Sequence, residues 1–238
     1  MEEENLYKKL KEFFNELVGD FSILEEQVDV NMQVEFFELI DELNENKRNA
    51  DIVLKEKEKV FDPELAFDKK KRLLAELSNI DQPEAYRIIE KVVDSADNEL
   101  YKWAVLALQH CRVSLETSLL DEGQVFISTG LGGEGKKLRY FFACMHKNEE
   151  DFTDAQKRIF QTEFEDIFVK YKCKIENITF TEKYVTVLTL IPIDVSTGEV
   201  IKSAMDECNQ YGDFLYHEYL ITNVKALNLE EINKFFKD

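Results

Sequence analysis

The spacing of apolar residues divides the chain into an all-helical stretch and a later stretch in which strands and helices mix. In residues 1–120 apolar positions recur every three or four residues, the period of a helix with one buried face. Leu6, Leu10, Phe13, Phe14 and Leu17 form the first such stripe. A second helix is expected from near Asn31, with Val34, Phe36, Phe37, Leu39, Ile40 and Leu43 inward. The polar run that follows, NENKRNADIVLKEKEKVFD, has mixed charges four apart that support helix without fixing its continuity. Asp62-Pro63 predicts a restart, an acid at the cap and proline at the first helical position, leading into ELAFDKKKRLLAELSNI. Asp81, with Pro83 and Glu84, opens QPEAYRIIEKVV. After the turn DSADNE comes LYKWAVLALQHCRVSLETSLL, where Trp103, Val105, Leu106 and Leu108 surround Ala104 and Ala107. That mixture suits a helix packed on more than one side.

From residue 124 the period shortens. QVFIST and KLRYFFACMH alternate like strands, and TDAQKRIFQTEFEDIFVKYKC is an amphipathic helix opened by a Thr153–Gln156 capping box. KIENITFTE and YVTVLTLIPID are two strands turning at Glu182-Lys183. Ser196–Glu199 caps a helix that Gly212 ends, FLYHEYLITNV is the last strand, and Asn228 caps a closing helix. The order strand, helix, strand, strand, helix, strand is the split βαβ plan. The expected fold is α+β: an α-helical region over 1–122, then a ferredoxin-like antiparallel sheet over 123–238 with helices on one face. QVFIST would be an extra N-terminal strand paired to LRYFFACM. Both residue sets of strand 184–191 are apolar, which predicts that both sheet faces are covered. Leaving several such side chains wet would cost several kcal/mol at about 25 cal/mol per Å². The N-terminal helices, the closing helix or a second subunit could supply the cover, so a homo-oligomer through the sheet face is one expectation.

Within residues 67–120, QPEAYRIIEKVVDSADNELYKWAVLALQHC shows a self-similarity at an offset of about 31 residues, Lys71 on Lys102 and Leu74 on Val105. Pro-Glu-Ala opening one helix, an acidic turn and an alanine-bearing second helix resemble a HEAT repeat. The resemblance implies a small solenoid used for protein docking. An irregular helical bundle accounts for the same spacing.

Charge narrows the partners. The chain carries 49 Asp and Glu against 30 Lys and Arg, a net charge of −19, which repels polyphosphate. Its longest basic run, Lys69-Lys70-Lys71-Arg72, reads as the wet side of a helix, so no nucleic-acid partner is expected. Four cysteines without CxxC spacing read as buried thiols in a reducing compartment. No signal peptide and no apolar run of the roughly 20 residues needed to span a bilayer are present, so a cytoplasmic protein is expected with no membrane partner.

Candidate chemistry is sparse. Gly130 to Lys137, GLGGEGKK, matches G-x-x-x-x-G-K but has lysine where a phosphate-binding loop needs Ser or Thr. The aromatic alternation that follows predicts a strand, not the helix that would aim its amides at an anion, so the segment reads as a hairpin turn. His146 and His217 fall at the ends of neighbouring antiparallel strands, where an acid–base or metal pair is conceivable. His110 sits at a helix end and reads as structural. The stretch YHEYL invites comparison with single-strand transposases, which share the sandwich plan but need two histidines one residue apart and a helical tyrosine. Tyr211 lies on the second sandwich helix, but the chain has no His-x-His. The resulting expectation is a non-enzymatic interaction module without cofactor or metal, docking a protein with a basic surface. The alternative is a small-molecule sensor or enzyme with a pocket at loop 130–136. Gly130, Gly132, Gly133, Gly135, Lys136, His146 and His217 are the candidate contact residues in either case.

Overall fold

The structure is a computed structural model that describes residues 21–96, 98–120 and 125–237. The stripe Leu6–Leu17 and the expected boundary at 122/123 lie outside the described residues. The described residues divide into two compact units on either side of the boundary between residues 128 and 129.

In the first unit five helices are described. Asp29 accepts from the Asn31 amide at 2.8 Å and starts α1, Val30–Glu45. Asn49 does the same for α2, Ala50–Glu56, which tightens into a 3₁₀ turn over Lys57–Phe61. The expected restart at Pro63 is displaced. Asp62 accepts from the Glu64 amide at 2.9 Å and from the Leu65 amide through its carbonyl, closing a turn, and α3 begins only at Phe67 and runs to Ser78. Pro83 does occupy the first position of α4, Pro83–Ser95, with Gln82 at the cap. The Asp81 carboxylate instead takes the Ser114 hydroxyl of α5, Asn98–Leu120. Trp103 is fully buried, edge-on to Phe36 at 5.3 Å, and its indole N–H donates to the Lys71 carbonyl at 2.9 Å. Leu74, Ile89 and Leu106 complete this core.

The strand expected from QVFIST does not join the later sheet. As β2, Val125–Ile127, it pairs in parallel with β1, Phe21–Ile23, inside the helical unit. Phe126 packs on that unit's core, 6.1 Å from Phe37, which fixes the strand there.

The second unit is an antiparallel sheet. Its elements are β3 (Gly133–Glu134), β4 (Lys137–His146), α6 (Asp154–Lys170), β5 (Lys174–Thr181), β6 (Tyr184–Pro192), α7 (Thr197–Gln210), β7 (Leu215–Thr222) and α8 (Leu229–Lys237). The lateral order is β7, β4, β6, β5, every neighbour antiparallel, with β3 paired to the start of β4. The sheet curls as a half-barrel, with register shifts at Cys144/His146 and Ile175/Asn177.

The expected capping box is present in full: Thr153 accepts from the Gln156 amide and Gln156 from the Thr153 amide. On one face Phe142, Val185 and Val187 lie against Phe160, Phe164 and Phe168 of α6 and Val200, Ala204 and Cys208 of α7. Phe160 and Phe164 stack at 3.9 Å, and Phe142 stacks on Phe164 at 5.8 Å. The other face carries Phe141, Ala143, Met145 and Tyr184, joined by Ile232 of α8. Tyr184 donates its hydroxyl to Asn233 Oδ1 at 2.8 Å, and its ring stacks on Phe236. The apolar second face that suggested a partner subunit is thus held by the chain's own closing helix.

Candidate nucleic-acid interface

The glycine-rich segment turns as a hairpin. Gly133 pairs with Leu138 and Glu134 with Lys137, so Gly135 and Lys136 form the connection between β3 and β4. Gly135 has φ +60°, which is the first central position of a II′ turn. Upstream, the loop is filled by protein. A Cβ on Gly130 would stand 1.8 Å from the Val224 carbonyl oxygen, and the Leu131 amide donates to the Asn223 carbonyl at 3.0 Å. Gly130, Gly132 and Gly133 are buried, and Glu134, Gly135 and Lys136 reach solvent. No anion-facing helix follows, because residues 137–146 are strand.

Around that hairpin the fold gathers cations that are dispersed in sequence. Lys174, first residue of β5, reaches Glu134 with contacts of 2.9 and 3.1 Å. Arg139 takes Glu176 in two bonds of 2.6 and 3.0 Å and donates to the Leu131 carbonyl at 2.9 Å. The register shift beside Glu176 belongs to this arrangement, since the extra residue changes where the strand aims its side chains. The Glu134 carboxyl is held below the usual carboxylate range, first by the Lys174 hydrogen bond and charge and then by the charges of Arg139 and Lys137. Lys174 is raised in turn, chiefly by its bond to Glu134. Beside it, burial pushes the Cys173 thiol up to about 11, against the opposing charge of Lys137.

Lys170 and Lys172 extend this edge from the end of α6. The helix stops in a Schellman motif: the Lys172 amide donates to the Val169 carbonyl at 3.0 Å and the Cys173 amide to the Phe168 carbonyl at 2.8 Å. The left-handed position, which favours glycine, holds Lys172 at φ 58°. Both lysines are exposed, and cations there complement the negative end of the helix dipole. Lys136, Lys137, Arg139, Lys170, Lys172 and Lys174 thus share one end of the sheet with Glu134 and Glu176.

The histidines lie at the opposite end and are not brought together as a pair. His146 is buried, its ring edge-on to Phe152 at 5.2 Å. The Asn148 amide donates to its Nδ1 at 3.2 Å, and its Nε2 stands 3.2 Å from Gln156 Nε2. The β7 residue opposite His146 is Leu215, whereas His217 is exposed beside Glu218. Among the described residues no group of three or more His, Cys, Asp or Glu could hold a metal ion. In the helical unit His110 is half-buried, its Nδ1 3.2 Å from the Ser78 carbonyl, and desolvation lowers its pKa.

Sequence reasoning missed the lysine edge because it counted runs. KYKCK, residues 170–174, has a cation at every second position with Tyr171 and the buried Cys173 between, and no run forms. That alternation across a helix-to-strand junction was the available signal.

No family model matches the sequence, and no curated protein matches it. Among solved structures, a putative transposase from Deinococcus radiodurans R1 is similar at a TM-score of 0.38 and 14% identity, over 44% of this chain and 92% of that one. A REP-associated tyrosine transposase bound to a REP hairpin is similar at a TM-score of 0.34 and 8% identity, over 42% of this chain and 63% of that one. Both are transposases by name, and the expectations corrected against them are the non-catalytic protein-interaction module with its basic partner, the absence of enzymatic activity, the exclusion of nucleic acid and the helical repeat used for protein binding. The exclusion of nucleic acid had a physical weakness: it rested on charge averaged over the chain. Residues 18–128 hold 25 acids and 13 bases, whereas residues 129–238 hold 19 and 14.

Proposed function

We propose that the sheet unit is a ferredoxin-like sandwich that handles DNA, gripping a strand at the edge made by Lys136, Lys137, Lys170, Lys172 and Lys174. The strand order β7, β4, β6, β5 with two helices on one face supports the fold name. The observation that carries the binding reading is the gathering of these lysines, from the hairpin at 136–137 and the junction at 170–174, at one end of a sheet in an otherwise acidic chain. A phosphodiester backbone is a line of negative charges, and cations on a rigid strand and a helix end engage it while releasing counterions. The acidic remainder of the chain disfavours indiscriminate coating of DNA and leaves this edge as the attractive site. The reading carries with it the expectation of a protein inside the cell. Tyr211, exposed at the end of α7, lies next to Asp213 at the opposite end of the sheet, so this reading gives it no contact with the gripped strand.

The test is fluorescence anisotropy with a labelled DNA hairpin bearing an unpaired tail, at low salt, on the full chain. Lys170→Glu with Lys172→Glu is expected to weaken binding at least about tenfold. Lys69→Glu with Lys70→Glu, on α3 of the helical unit, is expected to leave it unchanged. Equal loss from both pairs, or no binding by the parent chain, overturns the reading.

A further inference from the structure

The buried ring of His146 is approached by a donor at each nitrogen. The Asn148 backbone N–H points at Nδ1 from 3.2 Å, and Gln156 Nε2 stands 3.2 Å from the ring Nε2. The orientation of the Gln156 amide follows from its other end. Its Oε1 accepts from the Thr153 backbone N–H at 2.9 Å, a group that can only donate, and from the Thr153 hydroxyl at 3.0 Å. The NH₂ group therefore faces the ring. A neutral imidazole carries one N–H and one lone pair, so it accepts from only one of these two donors at a time. At the other nitrogen, ring and neighbour meet hydrogen to hydrogen.

Exposure decides where the conflict is relieved. His146 is 3% exposed, whereas Asn148 and Thr153 are open to solvent. Water takes up an amide released at either exposed residue, but not a ring nitrogen left without a partner in the core. With its proton on Nε2 the ring accepts from Asn148, and Gln156 must turn its oxygen inward, which releases the Thr153 amide. With its proton on Nδ1 the ring accepts from Gln156, the cap of α6 is complete, and the Asn148 amide is released. These two residues bracket the connection from β4 to α6. Phe152 pins that connection to the core, edge-on to His146 at 5.2 Å and to Phe180 at 5.4 Å. The Glu149 amide on the His146 carbonyl and the Lys147 amide on the Phe214 carbonyl do not involve the ring and persist in both arrangements. We propose that residues 148–153 are a two-state strap, tied at Asn148 or at Thr153 but not at both, with the His146 tautomer and the Gln156 amide as its toggle.

The experiment is nuclear magnetic resonance on the nitrogen-labelled full chain, at alkaline pH where imidazole is neutral. Ring spectra are expected to show the His146 proton shared between its two nitrogens. Gln156→Glu offers the ring an acceptor while keeping one for the Thr153 amide, so both ends of the strap are tied. Hydrogen exchange at Asn148 and at Thr153 is then expected to slow about five- to thirtyfold, with the ring proton fixed on Nε2. Gln156→Met removes the donor opposing the ring together with the acceptor for Thr153. The two amides are expected to move apart, Asn148 exchanging more slowly and Thr153 faster. A carboxylate that only improved the helix cap would slow Thr153 and leave Asn148 alone, so Asn148 is the deciding readout. Exchange at Asn148 that neither substitution alters overturns the strap. So does a parent ring with its proton on one nitrogen and both amides already as slow as in the Gln156→Glu chain.

Discussion

The two ends of the sheet are made of the same elements and carry opposite chemistry. At one end α6 finishes, β4 and β5 begin, and lysines collect around Glu134 and Glu176. At the other end β4 finishes at His146, β5 turns into β6, and acids predominate: Glu149, Glu150, Asp151, Glu182, Asp213 and Glu218 against Lys147 and Lys183. Both ends hold non-glycine residues in the left-handed region, Lys172 at one and Glu149, Glu182 and Asp213 at the other. At the acidic end Glu149 is tied to Lys183 and Asp213 to Lys147. Lys172 holds the left-handed position of the Schellman turn and faces outward. The same backbone conformation thus presents carboxylates bonded to lysines at one end and an exposed lysine at the other.

The largest expected effect tests whether one core holds both ends. Phe164 lies midway along α6, stacked on Phe142 and Phe160 and tilted against Phe168, within 5.8 Å of each. Phe164→Ala is expected to cost about 3–5 kcal/mol. Hydrogen exchange should then show protection falling at both the Lys137 and the His146 ends of β4. Loss at one end alone would break the comparison into two separate substructures.

A smaller effect sharpens it. Lys172→Gly relieves the left-handed strain and is expected to stabilise the fold by about 1 kcal/mol while weakening DNA binding. Asp213→Gly at the other end relieves the same strain and should leave DNA binding unchanged. Urea denaturation alongside anisotropy reads both, and a Lys172→Gly variant that binds DNA as well as the parent would remove the functional account of that residue.

The smallest effect treats the ends alike. Glu134 and Glu149 are both held below the ordinary carboxylate value of 4.5, each chiefly by a hydrogen bond from its lysine. A carboxyl depressed on folding binds fewer protons in the native state than in the unfolded one, so its contribution is complete above pH 4.5 and is lost as pH falls through the folded value. The urea midpoint is therefore expected to decline below that pH, less steeply in Glu134→Gln or Glu149→Gln and less steeply in high salt, since both groups are exposed.

Much of the sheet unit was legible in the sequence. The alternation of KLRYFFACMH and the capping signals at Thr153, Ser196 and Asn228 report on neighbours within a few residues, and the structure keeps each: β4 spans 137–146, and Asn228 and Glu231 cap α8 reciprocally. What failed depended on distant partners. QVFIST has strand character, but only Phe21–Ile23 could fix its partner, across about a hundred residues of chain. Pro63 has the chemistry of a helix start, yet the Asp62 side chain closes a turn at Glu64 first. The candidate site was hidden for the same reason. Glu134 and Lys174 are 40 positions apart and meet only because β3 and β5 reach the same end of the sheet. His146 and His217 were placed correctly on neighbouring strands, but a register shift and opposite exposure keep them from acting as a pair.

The account stands most directly on the salt dependence of hairpin binding. For a strand held by about four lysines, the logarithm of the association constant should fall with the logarithm of salt concentration at a slope of about −3. Lys170→Glu with Lys172→Glu should flatten that slope by more than about 1. A slope near zero in the parent chain, or one that the double variant leaves unaltered, would contradict the claim that this end of the sheet holds the phosphate backbone.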